Sequence, residues 1–127
     1  MEQKNESNEK LDYSKNPIGT KIEGFPEFIT LLEDGNYKVE MRKIKGVKTT
    51  FDYLVLEDIK HSKLKKLVDR AKKPNGEVSA EKLDELMIEN AIVFPEVNQE
   101  VIEDMKSSEI FRLKKAINVV YDTESFL

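Results

Sequence analysis

The sequence predicts an α+β domain in which a small antiparallel β-meander precedes about four short α-helices. Two observations predict this class. Up to about residue 55 the apolar residues alternate with polar ones, as in strands, and beyond it they recur at a spacing of about 3.6 residues, as in helices. The length of 127 residues is that of one ordinary domain. We therefore predict a single folded domain over residues 24–127.

The predicted meander covers residues 24–55 and contains three strands, at 28–33, 37–42 and 47–55. The segments DGN and KG between the strands supply residues that tolerate the positive φ of tight turns. The first strand, FITLLE, is also compatible with a short helix after Pro26. In the second strand the residues predicted to share the core face are Tyr37, Val39 and Met41. In the third strand they are Val47, Thr49, Phe51, Tyr53 and Val55.

The remaining residues, 56–127, are predicted to be helical. A first helix lies within 59–73 and ends at the sequence PNG, which stops helices. Ser79 is placed to cap the N-terminus of a second helix, and Pro95 ends that helix. Asn98 is placed to cap a third helix, and Ser107 or Ser108 is placed to cap a last helix. The apolar positions of the last helix are Ile110, Leu113, Ile117 and Val120.

The first 23 residues are polar, with only scattered apolar positions. Such a segment buries too little apolar surface to offset the entropy lost on ordering, so residues 1–23 are predicted to be a disordered, mobile arm. The sequence has neither an apolar run of the roughly 18 residues that span a bilayer nor the apolar core of a signal peptide. It also has no cysteine, which excludes disulfides and thiolate metal ligands and fits a reducing compartment. We therefore predict a cytoplasmic protein that does not enter membranes.

Charge is divided unevenly along the chain. Residues 38–73 carry twelve Lys and Arg against five Asp and Glu, whereas residues 74–109 carry two against ten. Two interpretations remain open: faces that complement each other within the fold, or a dipolar surface that steers a partner. The basic block is also compatible with binding nucleic-acid phosphates. Against that use, Phe51 and Tyr53 share their predicted face with valines, which is typical of a core and not of a base-stacking platform.

The residue types that carry catalysis or bind cofactors are scarce or scattered. His61 is the one histidine and stands among lysines at the start of a basic helix, which predicts a solvated surface residue. The carboxylates of the second and third helices lie at helical spacing, typical of solvent-facing sides and not of a calcium loop. The five glycines are isolated, so none belongs to a phosphate-binding loop. We predict no catalytic residue, no metal site and no cofactor, and a function in binding another protein.

Three segments carry a resemblance to a known family: the basic hairpin YKVEMRKIKGVKTTFDYLVLED, the helix with an apolar-proline exit LDELMIENAIVFPEVNQEVIEDM, and the terminal helix SSEIFRLKKAINVVY. Over residues 37–121 the chain resembles the tail assembly chaperones of long-tailed phages and prophages of Gram-positive bacteria. The resemblance implies a non-enzymatic protein of the host-cell cytoplasm that binds the tape-measure protein and helps to recruit tail-tube subunits. A homo-oligomer is compatible with coating a long partner in many copies.

The partner contacts are predicted on the apolar residues of the last two helices and on the two large apolar residues at the chain end. They are Val101, Ile102, Met105, Ile110, Phe111, Leu113, Ile117, Tyr121, Phe126 and Leu127. Two other functions remain open. One is a structural tail completion or connector protein of the virion, and the other is a small nucleic-acid-binding regulator that uses residues 38–73.

Overall fold

Five antiparallel strands and four helices make up the part of the chain that the computed structural model describes, residues 11–44 and 51–121. This architecture confirms the predicted α+β class. The strands are β1 (Thr20–Lys21), β2 (Ile29–Leu31), β3 (Tyr37–Glu40), β4 (Tyr53–Leu56) and β5 (Ile92–Phe94). The helices are α1 (His61–Arg70), α2 (Ala80–Ala91), α3 (Gln99–Asp104) and α4 (Ser107–Tyr121). The strands lie side by side in sequence order.

The three predicted strands correspond to β2, β3 and β4, each shorter than predicted. The FITLLE segment forms a strand and not a helix, because β2 pairs with β3. In the turn that joins β2 to β3, Gly35 has φ of 91°, and the Leu32 N–H donates to the Asn36 carbonyl at 2.9 Å. β3 ends at Glu40, where the chain enters a short 3₁₀-helix. Residues 45–50, which include Val47 and Thr49 of the predicted third strand, lie outside the described residues.

Two edge strands lie where the sequence predicts none. β1 falls in the segment predicted to be a mobile arm, and it pairs with β2. β5 follows α2 directly, in the segment predicted to be helical, and pairs with β4. The sheet therefore draws on both halves of the predicted division at residue 55. Strands of two or three residues leave too little alternation for a sequence pattern to detect them.

One face of the sheet packs against α2, α3 and α4 and forms the main core. Val39 and Met41 of the second predicted strand lie in this core, with Tyr37 partly buried beside them, as predicted. The largest fully buried side chains of the main core are Ile29, Met41, Leu54, Leu56, Ile88 and Leu113. A smaller cluster joins α1 to α2 through Ile59, Leu67, Ala71 and Leu86. Helix α1 is thus held at the periphery of the domain.

The opposite face of the sheet is covered by residues 12–19, which lead into the edge strand β1; residues 12–21 together are here called the N-terminal strap. Lys38 pairs with Val55 in the β3–β4 register and lies on this face, only 6% exposed. Its Nζ donates to the Pro17 carbonyl at 2.8 Å and lies 5.0 Å from the centroid of the Tyr53 ring. A buried ammonium is thereby solvated by a strap carbonyl and an aromatic face.

Tyr53 joins the sheet to the N-terminal strap. Its ring stacks on Phe94 with centroids 5.7 Å apart. Its hydroxyl donates to the Tyr13 carbonyl and accepts from the Asn16 N–H at 3.0 Å. The Tyr13 hydroxyl in turn donates to the Asp34 carboxylate and accepts from the Asn36 side-chain amide at 2.9 Å. The strap is therefore fixed to the sheet mainly through hydrogen bonds, and not by the burial of an apolar stripe.

Tyr53 and Val55 lie on one face of β4, as predicted, but it is not the face that meets the helices. Tyr53 and Val55 face the strap, while Leu54 and Leu56 face the main core. All of β4 except Tyr53 is fully buried, so its sequence YLVL does not show which face meets the helices. Phe51 precedes the strand and packs against the main core.

The strap passes very close to the sheet at Gly19. A Cβ atom at this position would lie 2.2 Å from the Thr30 Oγ1, so only glycine fits without displacement. Residues 12–21 were predicted to belong to a mobile arm but form the strap. The prediction relied on composition, and composition does not reveal hydrogen bonds or close backbone packing. Residues 1–10 of that arm lie outside the described residues.

The helix caps predicted at Ser79 and Asn98 are confirmed, whereas α4 already includes Ser107, so Lys106 and not the predicted Ser107 or Ser108 occupies its N-cap position. The Ser79 side chain accepts from the Lys82 N–H at 3.2 Å at the start of α2. The Asn98 side chain accepts from the Val101 N–H at 3.0 Å at the start of α3. These local hydrogen bonds fix where the helices of the candidate site begin.

Candidate protein-binding surface at the α3–α4 corner

The chain turns sharply between α3 and α4. The Met105 N–H donates to the Ile102 carbonyl at 3.1 Å and closes α3. The Lys106 carbonyl then accepts from the Glu109 N–H at 2.9 Å and begins α4. Only two residues separate the helices. Met105 therefore lies at the corner, half-buried between them.

Helix α4 has one buried and one exposed side. Leu113 is fully buried, and Ile117 is 3% exposed, so both pack into the main core. Phe111 lies two residues before Leu113, which is about 200° around the helix. It is 66% exposed. The exposed side of α4 thus presents a large aromatic ring to solvent.

Four apolar side chains form an accessible patch here, called the α3–α4 surface: Val101, Met105, Ile110 and Phe111. Val101 is 39% exposed, and Met105 and Ile110 are partly exposed. A depression of about 560 Å³ lies on each side of Met105, which lines both. Apolar patches that are rimmed by polar residues are typical of protein-interaction sites.

The two depressions differ in charge. The one between α2, α3 and α4 is lined by four carboxylates and one ammonium, a formal balance of −3, and is called the acidic groove. Its charged residues are Glu81, Asp84, Glu85, Glu103 and Lys114. The other depression is lined by two acidic and two basic side chains and is formally neutral. The acidic groove therefore carries a charge preference that the neutral depression lacks.

Two contacts join the three helices around the acidic groove. The Lys114 ammonium lies 2.7 Å from the Asp84 carboxylate and bridges α4 to α2. Because both side chains are about one-third exposed, this pair contributes at most about 1 kcal/mol. The Gln99 Nε2 donates to Glu85 Oε1 at 3.2 Å and joins α3 to α2. These contacts keep the groove walls in register.

The structure separates the predicted partner contacts into groups. Val101, Met105, Ile110 and Phe111 come together on the α3–α4 surface. Ile102, Leu113 and Ile117 belong to the main core. Ile102, at 6% exposure, also lines the acidic groove, whereas Leu113 and Ile117 line neither depression. A recurrence of apolar residues along a helix does not distinguish the core stripe from residues beside it. Phe126 and Leu127 lie outside the described residues.

Tyr121, also predicted as a partner contact, instead ties the end of α4 to the segment after β4. Its hydroxyl donates to the Glu57 carbonyl at 2.6 Å and accepts from the Ile59 N–H at 3.3 Å. Burial raises the pKa of the Tyr121 hydroxyl above its usual range. This residue is engaged within the fold.

The acidic residues of the groove are site residues that the sequence prediction missed. Glu81, Asp84 and Glu85 share one side of α2, a spacing that predicts only a solvent-facing side. Their significance depends on Glu103, which α3 brings to the opposite wall of the same groove. No sequence spacing indicates that proximity, because it follows from how α3 packs on α2.

The basic block of residues 38–73 is divided by the fold. Arg42 pairs with Asp52 at 2.7 Å, and Lys43 pairs with Glu40 at 3.1 Å. Lys38 is buried under the strap. The exposed basic side chains of the described residues in this block are concentrated on and just after α1. They include Lys65, Lys66, Arg70 and Lys73.

Within residues 11–44 and 51–121, no three His, Asp or Glu side chains are grouped so as to hold a metal ion. No helix in those ranges has the length and apolar character needed to cross a membrane. The chain matches no protein-family model, no curated protein and no solved structure.

Proposed function

We propose that this chain is a non-enzymatic tail assembly chaperone of a phage or prophage, which binds the tape-measure protein through the α3–α4 surface. The observation that carries the proposal is the exposure of Phe111, at 66%, beside Val101 and Met105. The resemblance of residues 37–121 to that family supplies the identity of the partner. Tail-tube subunits would be recruited once the tape-measure protein is held.

Burying an apolar side chain contributes about 1.5–3 kcal/mol, so one patch of four such residues supports only modest affinity. Modest affinity suits a chaperone that has to leave its partner. A long helical partner offers many equivalent sites, and many weakly bound copies keep its apolar stripe from aggregating. The small size of the α3–α4 surface is therefore compatible with the proposed role.

The test is co-expression with the longest coiled-coil protein encoded just downstream. We expect the two proteins to co-purify, and the long protein to be soluble only in the presence of this chain. The variant Phe111→Ser should abolish both effects. The control is Ile18→Ser, because Ile18 is 93% exposed and lies outside the α3–α4 surface.

A long protein that is soluble alone and does not co-purify would contradict the proposal. Loss of co-purification with both serine variants would show that general surface apolarity matters, and not this surface. Recovery of the chain in purified particles would favour the alternative of a structural tail completion or connector protein, since a chaperone leaves before the tail is finished.

A nucleic-acid-binding regulator is the second candidate, and the exposed basic side chains on α1 favour it. Phosphate binding by these residues would weaken steeply as salt rises. The variant Lys65→Gln/Lys66→Gln should then lose affinity for duplex DNA, whereas Phe111→Ser should not. Absence of binding even at low salt would exclude this candidate.

A further inference from the structure

The acidic groove combines an apolar floor with an acidic rim. Met105, Ile110 and Phe111 line it together with four carboxylates. The Asp84 carboxylate is already paired with Lys114, and Glu85 accepts a hydrogen bond from Gln99. The exposed carboxylates of Glu81 and Glu103 stand on α2 and α3, on opposite walls. A bound segment would meet negative charge on both sides of its apolar contact.

We propose that the acidic groove selects an amphipathic helix of a partner protein in which Lys or Arg residues border the apolar stripe. This inference rests on the proposed function, in which the α3–α4 surface binds a protein segment. Apolar side chains at positions i, i+3 or i+4 and i+7 would enter the groove, and basic side chains beside them would reach its two walls. A helix bordered by Glu or Asp would instead bring like charges together.

Two other occupants are excluded, one by charge and one by packing. Phosphate groups of a nucleic acid would face the same four carboxylates and be repelled. A second copy of this chain could offer α1, whose exposed side is basic. However, the apolar side of α1 is buried against α2 through Leu67, so α1 cannot present an apolar stripe without leaving its own fold. A separate basic amphipathic helix is the occupant that fits.

The test uses the full chain and two designed helical peptides of about 18 residues, or five turns. Both peptides carry the same leucine stripe, and Lys borders it in one while Glu borders it in the other. Exposed charge pairs change affinity by a few-fold each. We expect the Lys-bordered peptide to bind about tenfold more tightly at low salt, with most of the difference lost at about 0.5 M salt.

The variant Glu81→Gln/Glu103→Gln should weaken binding of the Lys-bordered peptide by about fivefold. The matched control is Glu77→Gln/Glu96→Gln, which makes the same change in net charge at exposed positions that do not line the groove. The control should stay within about twofold of the unmodified chain.

Equal binding of the two peptides, with affinity still lost in Phe111→Ser, would overturn the charge selection and leave the proposed protein-binding role intact. Failure of both peptides to bind would also overturn the inference, and the co-expression test would then decide the proposed function separately. Concentration-dependent self-association that Glu81→Gln/Glu103→Gln abolishes would identify a second copy as the occupant and contradict the proposal.

Discussion

Two substitutions on α4, only two residues apart, should differ sharply in their effect on folding. Leu113 is fully buried in the main core, and Leu113→Ala removes its packed side chain and leaves a cavity. The expected cost is about 3 kcal/mol of unfolding free energy. Phe111→Ala loses only the contacts of the covered third of the ring and gains the higher helix propensity of alanine. The net change should stay within about 0.5 kcal/mol.

These free energies convert to well-separated melting temperatures. Roughly 100 residues of the described fold unfold with an entropy of about 0.2 kcal/mol/K. Leu113→Ala should therefore lower Tm by about 14 °C, and Phe111→Ala should shift it by no more than about 2 °C. Because total stability is about 5–15 kcal/mol, the buried substitution is expected to leave a folded but weakened chain.

The measurement is far-UV circular dichroism during heating, repeated as urea denaturation to obtain the free energies. Binding to the co-expressed partner provides the second readout. Phe111→Ala should reduce it in a chain of normal stability, which separates loss of contact from loss of fold. If Phe111→Ala melts as early as Leu113→Ala, then α4 is rotated relative to the arrangement described, and the α3–α4 surface is not an exposed one.

The remaining predictions concern the strap and the tyrosines. Tyr53→Phe should lower the unfolding free energy by about 1 kcal/mol and speed amide exchange within residues 12–21, because its hydroxyl bonds to the strap main chain; unchanged exchange would contradict the strap contacts. Gly19→Ala should cost about 1–3 kcal/mol in urea denaturation, since the new methyl meets Thr30 Oγ1, and a neutral result would show that the strap lies further away. Burial raises the pKa of Tyr121 and Tyr37, so the unfolded chain loses these protons first and stability should fall as pH rises above about 10. Urea midpoints between about pH 9 and 11 test this, and Tyr121→Phe should flatten the dependence.

Local signals in the sequence were sufficient to predict where α2 and α3 begin. The Ser79 and Asn98 caps act on N–H groups three residues away, so a short segment contains the whole interaction. Which face of β4 meets the helices could not be predicted in the same way, because Leu54 and Val55 are both fully buried and the strand has no polar side. Alternation carries information only where one face of a strand meets water.

Neither the strap nor the acidic groove could be predicted from the sequence, because each depends on contacts between segments that are far apart in the chain. The Tyr53 hydroxyl meets the Tyr13 carbonyl from forty residues away, and Glu103 meets the carboxylates of α2 only when α3 is docked. Neither contact corresponds to a characteristic residue spacing that a sequence pattern would show. The prediction for α4 correctly identified apolar residues but assigned both Leu113 and Phe111 to a partner, since residues at the edge of a helical stripe serve either role.

Most apolar surfaces of this fold are covered by other parts of the same chain, which limits where a protein partner can bind. Within residues 11–44 and 51–121 the sheet is covered on one face by helices and on the other by the strap. Its edge strands have two and three residues, too few to pair with a long added strand. The apolar side of α1 is occupied by α2. Other exposed apolar side chains, such as Ile18 and Val78, line neither depression of the α3–α4 corner. At the α3–α4 corner Val101 and Met105 line one depression and Met105 and Phe111 line the other, so a partner can bury several apolar side chains there together.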